Sequence, residues 1–380
     1  MIQSKLPRVG TTIFTRMSTL AAAHGAINLS QGFPDFDAPE ALREAMARHV
    51  MDGHNQYAPM PGVMQLREQL AAQVQRYRGV SCDPDTEITV VPGATEGIFC
   101  AVMACVAPGD EVILLDPCYD SYQPSVELAG GRAIHVPLQG PGFALDRERL
   151  QAAISGRTRL LMINSPHNPS GSVLSRDDML YLEALVERHK LLVISDEVYE
   201  HLVFDGRAHH SALQFPALRA RSFTLFSFGK TFSVTGWKTG YCIAPPALTT
   251  ELRKVHQFVS FVAVTPVQLA VADFLAEHPD YPATLAAFYQ RKRDLFCAAL
   301  GQSRFRFTPS AGTYFQLLDY SEISREADTA LCEQWTSERG IAAIPVSVFY
   351  EQPPSRQLLR FCFAKNDAVL ESAAEVLCRI

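Results

Sequence analysis

This sequence predicts an α/β fold: a mostly parallel sheet with helices on both faces, plus a smaller α+β unit assembled from the two chain ends. Three observations carry that expectation. Short, continuous apolar runs recur through the middle of the chain, as strands covered on both faces require. Helical patterns sit between several of them, which is how parallel strands are connected. From about Tyr281 the texture changes to one long helix followed by shorter strands and helices.

Taken in chain order, residues 1–45 contain GFPDFDAP (32–39), a break that separates them from the large middle section, and they are expected to join the small unit. Residues 46–280 make the large domain. Its strands are ITVV (88–91), EVILLD (111–116), AIHVPL (133–138), RLLMIN (159–164), LLVISD (191–196), FTLFSF (223–228) and GYCIA (240–244). Helices are expected over 94–106 and 175–190. Residues 281–380 form the small domain, with helices over 284–300 and 325–339 and apolar strands in FRFTPSAGTYFQLLD, IAAIPV and LLRFCFA.

Composition narrows the function. The chain has 380 residues, 47% hydrophobic and 19% charged, enough for a large core and more than one domain. A net charge of −6 gives no basic face for nucleic acid or for an anionic membrane. No apolar run approaches the roughly 20 residues that span a bilayer. The first residues, MIQSKLPRVGTTIF, lack the apolar core of a signal peptide. Nine dispersed cysteines without CxxC, and no HExxH, argue against a disulfide frame or a metal site. The expectation is a cytoplasmic protein with reduced cysteines and no metal.

Polar groups emerge at three strand ends. Asn164 and Asn168 follow RLLMIN, Asp196 ends LLVISD with Tyr199 three residues on, and Ser227 and Lys230 follow FTLFSF. Each has a plain account as a turn former, a helix cap or a packed aromatic. Gly229-Lys230-Thr231 also copies the end of a phosphate-binding P-loop, but that motif needs a glycine at 224, which is Thr224. Taken together, the three ends converge on one edge of one sheet, where open α/β sheets bind ligands. Pyridoxal phosphate needs this set: a lysine, a carboxylate for its ring nitrogen and a phosphate cradle. Asp196 fits the carboxylate, and Tyr199 and Asn168 could donate to the ring oxygen. Gly93, Ala94 and Thr95 open a helix where backbone N–H groups bind phosphate, with Ser227 and Lys238 completing the cradle. Tyr119 could stack on the ring.

The motifs NLSQGFPDF (28–36), NQYAPMPGVMQLRE (55–68), PGATEGI (92–98), NSPHNPSG (164–171), SDEVYEHLVF (195–204), SFGKTFSVTGWKTGY (227–241) and LLRFCFAK (358–365) cover nearly the whole chain. Through them it resembles the fold-type I, class I/II aminotransferases, most closely the branch that holds methionine and kynurenine–glutamine aminotransferases. Two positions depart from the wider class and agree with that branch: Gly229 stands where a serine precedes the lysine, and Lys238 stands where an arginine lies eight residues beyond it. Lysine keeps the charge but loses the planar fork.

The resemblance implies that Lys230 is the lysine that bonds the cofactor and then serves as base. It implies that Arg360 clamps the substrate carboxylate, assisted by Asn168, and that Gly32 closes over the substrate. Phe14 and Phe33 are candidate walls of the side-chain pocket. A homodimer is implied, with Tyr57 reaching the neighbouring subunit's phosphate. The implied reaction is ping-pong transfer of an amino group, from methionine and aromatic amino acids, to a 2-oxo acid. A carbon–sulfur β-lyase acting on cysteine conjugates would use the same Lys230, Asp196 and Arg360. A cofactor-sensing regulator would need a DNA-binding module, and this chain shows none.

Overall fold

A computed structural model describes residues 2–380. Its strands, in chain order, are β1 (Ile27–Asn28), β2 (Ile88–Val91), β3 (Glu111–Asp116), β4 (Arg132–Pro137), β5 (Thr158–Asn164), β6 (Leu192–Asp196), β7 (Ser222–Ser227), β8 (Gly240–Ile243), β9 (Phe315–Asp319), β10 (Ile341–Ala342), β11 (Ile344–Pro345) and β12 (Leu358–Cys362). Seven of them form one sheet in the order β2-β8-β7-β6-β5-β3-β4. Only β8 runs against its neighbours. The seven apolar runs read from the sequence are these seven strands, within a residue at each end.

The strands read as unbroken apolar runs because both faces are covered. On β3, Val112 and Leu114 join the cluster under the helix Ala94–Cys105, with Ile98 and Val102. Ile113 and Leu115 point the other way, onto Met179, Leu182 and Val186 of the helix Arg176–His189. Successive strand residues face opposite sides, so two helical layers need two interleaved apolar sets.

A second body packs β11-β12-β9, all antiparallel, under the helices Tyr281–Ala299 and Asp367–Cys378. The N-terminal helix Ile13–His24 joins this core through Met17, and β1 pairs with β10. The helix Glu40–Met51 belongs elsewhere: Leu42 and Ala45 pack with Leu66, Val90 and Phe274 of the large body. We therefore draw the division between the domains at about Pro39 rather than at residue 45.

Two helices differ from the sequence expectation. The long one starts earlier, at Tyr281, because Pro282 lies in its first turn, where a missing N–H is harmless. The other starts later, at Asp328, and its last turn, Trp335–Arg339, widens to a π-turn closed by left-handed Gly340. Among the described residues, no helix is long and apolar enough to cross a membrane.

The turn after β6 is anchored from behind. Arg78, at the end of the helix Met64–Arg78, meets Glu200 at 2.5 Å, and both side chains are only 10% exposed. Burial would raise the Glu200 pKa, but His201 and Arg78 hold it well below the usual carboxylate range. A carboxylate depressed in this way stabilises the fold above its unfolded pKa, and the contribution is lost as pH falls toward the folded value. Arg78→Met is expected to cost about 3–5 kcal/mol near neutral pH, because it strands a buried charge. Urea unfolding should show that gap at neutral pH and a smaller one in acid.

Candidate active site

The parallel register of β5 and β6 sets Asn164 directly beside Asp196. Asn164 ties the two strand ends together: its Nδ2 donates to the Asp196 carbonyl at 2.8 Å, and its Oδ1 accepts from the Asn168 backbone N–H at 2.7 Å. Asp196 is 5% exposed. Its Oδ2 accepts from the Tyr122 hydroxyl at 2.6 Å and its Oδ1 from the Val198 N–H at 3.3 Å. Burial pushes its pKa up, opposed by these two hydrogen bonds and by the charge of Lys230. Among the described residues, no cation bonds it directly.

Ser227 ends β7, and Lys230 follows in the short helix Phe228–Thr231. The sequence left open why glycine precedes the lysine, and packing answers it. A Cβ at Gly229 would lie 2.9 Å from the Thr235 Cα and 3.4 Å from the Ser227 hydroxyl. The Lys230 Nζ lies 2.9 Å from the Tyr314 hydroxyl and 3.2 Å from the Gly32 carbonyl. Burial pushes its pKa down to about 8, aided by Lys238 and Arg360 and opposed by Cys362 and Asp196. Near neutral pH such an amine is a far better base than a solvated lysine.

Arg360 lies in β12 and is 1% exposed. Its guanidinium donates to Asn168 Oδ1 at 2.7 Å and to the Ser30 carbonyl at 3.0 Å. The Phe315 ring lies 3.9 Å beneath it, with Phe14 at 5.2 Å. Among the described residues no carboxylate pairs with it, and its buried Nε has no partner. A buried guanidinium in that condition is a receptor for an anion.

Gly93, with φ +82°, caps the helix Ala94–Cys105, whose first turn carries Thr95. A Cβ at Gly93 would come within 3.4 Å of the Lys238 amine, so the glycine leaves room for an anion between them.

One cavity of about 300 Å³ gathers Phe14, Gly32, Gly93, Ala94, Thr95, Tyr119, Asn168, Asp196, Tyr199, Ser227, Lys230, Lys238 and Arg360. Its outline fits pyridoxal phosphate: an anion cradle at one end, a buried carboxylate for a ring nitrogen, and a lysine amine between. One residue expected here lies outside it, and Tyr57, expected to serve the neighbouring subunit, lies on the surface. Phe33 is turned away because the Lys365 amine bonds its carbonyl at 2.9 Å and sits 4.4 Å over its ring. Tyr57 is 82% exposed and stacks edge-on against Phe261.

Sequence reasoning missed Tyr122, Tyr314 and Phe315. A lone aromatic in a short helix or beside a strand reads as core, and nothing local marks it as touching a charge. It also did not foresee two His–carboxylate–Cys groupings outside the cavity, Glu96–Cys100–His256 and Asp116–Cys118–His135. In each, the histidine is already hydrogen-bonded to the carboxylate at 2.7 Å.

Comparison with known proteins agrees with this geometry. The family model described as aminotransferase class I and II matches residues 24–377. Methionine aminotransferase of Escherichia coli is 50% identical, over 99% of this chain and 97% of the relative. A probable N-succinyldiaminopimelate aminotransferase of Mycobacterium tuberculosis is 41% identical over 98% and 97% of the two chains. Kynurenine–oxoglutarate transaminase 1 of Homo sapiens is 34% identical over 94% and 93%. The crystal structure of YbdL from Escherichia coli, for which structure and reactivity identify a methionine aminotransferase function, superposes with a TM-score of 0.98 at 49% identity over the full length of both chains. This chain belongs to the class I and II aminotransferases.

Proposed function

We propose that this aminotransferase takes methionine foremost, and aromatic amino acids behind it, as amino donors to a 2-oxo acid, with pyridoxal phosphate held in the cavity. One observation carries the reading: two unmet charges face a single cavity. Asp196 is a buried carboxylate with no bonded cation, and Arg360 is a buried guanidinium with no carboxylate, among the described residues. A cationic cofactor ring would meet the first, and an α-carboxylate the second.

The backbone N–H groups at Gly93–Thr95, with Ser227 and Lys238, would hold the phosphate. Bound there, the cofactor supplies an aldehyde that bonds amines and a ring that takes up the electron pair of a broken Cα–H bond. Asp196 keeps a negative charge at the ring nitrogen, and Tyr122 holds that carboxylate in place. Arg360 and Asn168 orient the substrate carboxylate. Lys230 moves the proton from the substrate α-carbon. Phe14 and Tyr119 wall the site and exclude water. The same groups empty and refill the amino group in turn, which gives ping-pong kinetics. Nothing in the cavity favours β-elimination over transfer.

The preference for methionine rests on the 50% identical relative and on the aromatic lining, since a thioether packs well against ring edges. Such a wall separates apolar side chains by only about 1–3 kcal/mol per methylene. A homodimer is part of the proposal. Tyr57, Phe258, Phe261 and Val264 are exposed apolar residues, and Tyr57 packs on Phe261. A second copy covering that patch would bring Tyr57 to its neighbour's phosphate.

Four outcomes are expected. Protein loaded with pyridoxal phosphate and mixed with L-methionine, without acceptor, should lose its visible cofactor band and release one 2-oxo acid per site. Lys230→Ala should fold, show no covalently held cofactor and lose at least about 10³-fold in turnover. A persistent band or a fully active Lys230→Ala protein would overturn the reading. Arg360→Ala should lower kcat/KM for methionine by about 10²-fold, mostly through KM, because a buried charged hydrogen-bond partner is lost. Phe258→Glu should convert a dimer to monomers in light scattering and weaken cofactor retention.

A further inference from the structure

The Lys230 amine, the Tyr314 hydroxyl and the Gly32 carbonyl form a closed triangle. Lys230 donates to Tyr314 at 2.9 Å and to Gly32 at 3.2 Å, and the Tyr314 hydroxyl donates to the same Gly32 carbonyl. Tyr314 is fully buried, and burial keeps its phenol protonated. Its one proton is therefore committed to Gly32, and what it offers Lys230 is an oxygen lone pair.

A neutral amine has two N–H bonds and one lone pair. Here both N–H groups have fixed acceptors, which leaves a single unengaged position on the nitrogen. We infer that Tyr314 is a positioning residue of the transamination reaction: with Gly32 it engages both N–H groups of Lys230 and so fixes the direction of the lone pair that takes the α-proton. This inference rests on the aminotransferase reading and applies whenever Lys230 is not bonded to the cofactor. When the lone pair takes the proton, it becomes the third N–H bond and the C–H pair stays on carbon. The nitrogen becomes an ammonium with its other two donors still engaged.

The surroundings hold this triangle against resistance. Thr313, next to Tyr314, is a buried β-branched residue at φ +65°, a region such side chains avoid. It is fixed there by its N–H on the Leu202 carbonyl at 2.9 Å and by its hydroxyl accepting from the Phe315 N–H at 3.1 Å. On the other side, a Cβ at Gly32 would meet Phe315 at 2.7 Å and Tyr314 at 3.3 Å, so only glycine brings its carbonyl this close.

The test is Tyr314→Phe, which keeps the ring and removes only the oxygen. Competitive acetylation of the cofactor-free protein over a pH series, read at Lys230 by peptide mass spectrometry, reports the amine directly. The charged and titratable groups facing it are Tyr199, Tyr314, Cys362, Lys238, Arg360 and Asp196, and five of these six are unchanged by the substitution. Losing one acceptor of the ammonium should lower the Lys230 pKa by about one pH unit. In single turnover with α-deuterated methionine, proton removal should slow about tenfold and the isotope effect should rise, with methionine affinity unchanged. If the phenylalanine variant does not fold, 3-fluorotyrosine at 314, a weaker acceptor, should shift Lys230 the same way by less.

A Lys230 titration and isotope effect equal to the parent's would overturn the role of Tyr314. Labelling needs neither cofactor nor turnover, so that outcome leaves the aminotransferase reading standing. A parent protein that releases no oxo acid from methionine would overturn the reading and leave the labelling result intact.

Discussion

A carboxylate held out of water without a bonded cation is the constraint around which the large domain is arranged. Asp196 would cost far less at a surface. Here two hydrogen bonds, from Tyr122 and from the Val198 N–H, stabilise its charge but do not neutralise it. Further bonds fix the stretch of chain that carries it. Asn164 binds its carbonyl, the Glu197 N–H bonds the Leu225 carbonyl of β7, and Arg78 grips the turn at Glu200. The carboxylate cannot swing out to solvent without losing both its Tyr122 and its Val198 hydrogen bonds. Its residual demand for a positive charge is therefore directed into the cavity.

The small domain brings the complementary demand. Arg360 comes from β12, and its two bonded partners, Asn168 and the Ser30 carbonyl, come from β5's loop and from the N-terminal segment. Neither partner is charged. The guanidinium is thus positioned by neutral groups and supported by the Phe315 face, with its charge left for a ligand. The N-terminal segment contributes to both ends of the chemistry: Ser30 holds Arg360, and Gly32, two residues on, holds Lys230. A shift of that segment would disturb anion recognition and the base together.

Much of this was legible in the sequence, for a definite reason. Strands buried on both faces must be apolar throughout, so a polar residue at a run's carboxyl end stands out, and Asn164, Asp196 and Ser227 were found that way. The features that stayed hidden obey the same logic. An apolar run carries no direction, so the reversed β8 was indistinguishable from its parallel neighbours. Tyr122 and Tyr314 serve through one hydroxyl each while their rings pack like any core aromatic. Phe33 was expected at the cavity and lies outside, because the Lys365–Phe33 contact that turns it away joins residues over three hundred positions apart. Tyr57 lies exposed on the surface against Phe261, away from this chain's own cavity.

The lysine unites these features. Its pKa of about 8 is set first by burial, and the two cations that lower it further, Lys238 and Arg360, are the groups that would receive phosphate and carboxylate. Filling those two sites with anions would remove the repulsion that now lowers the pKa. An occupied cavity would then favour the ammonium more than an empty one does. A base that must release its proton again within the same cycle gains from fixed geometry as much as from low basicity. The Tyr314–Gly32 acceptors supply that geometry in both protonation states, since neither needs to move when Lys230 gains or loses its third hydrogen.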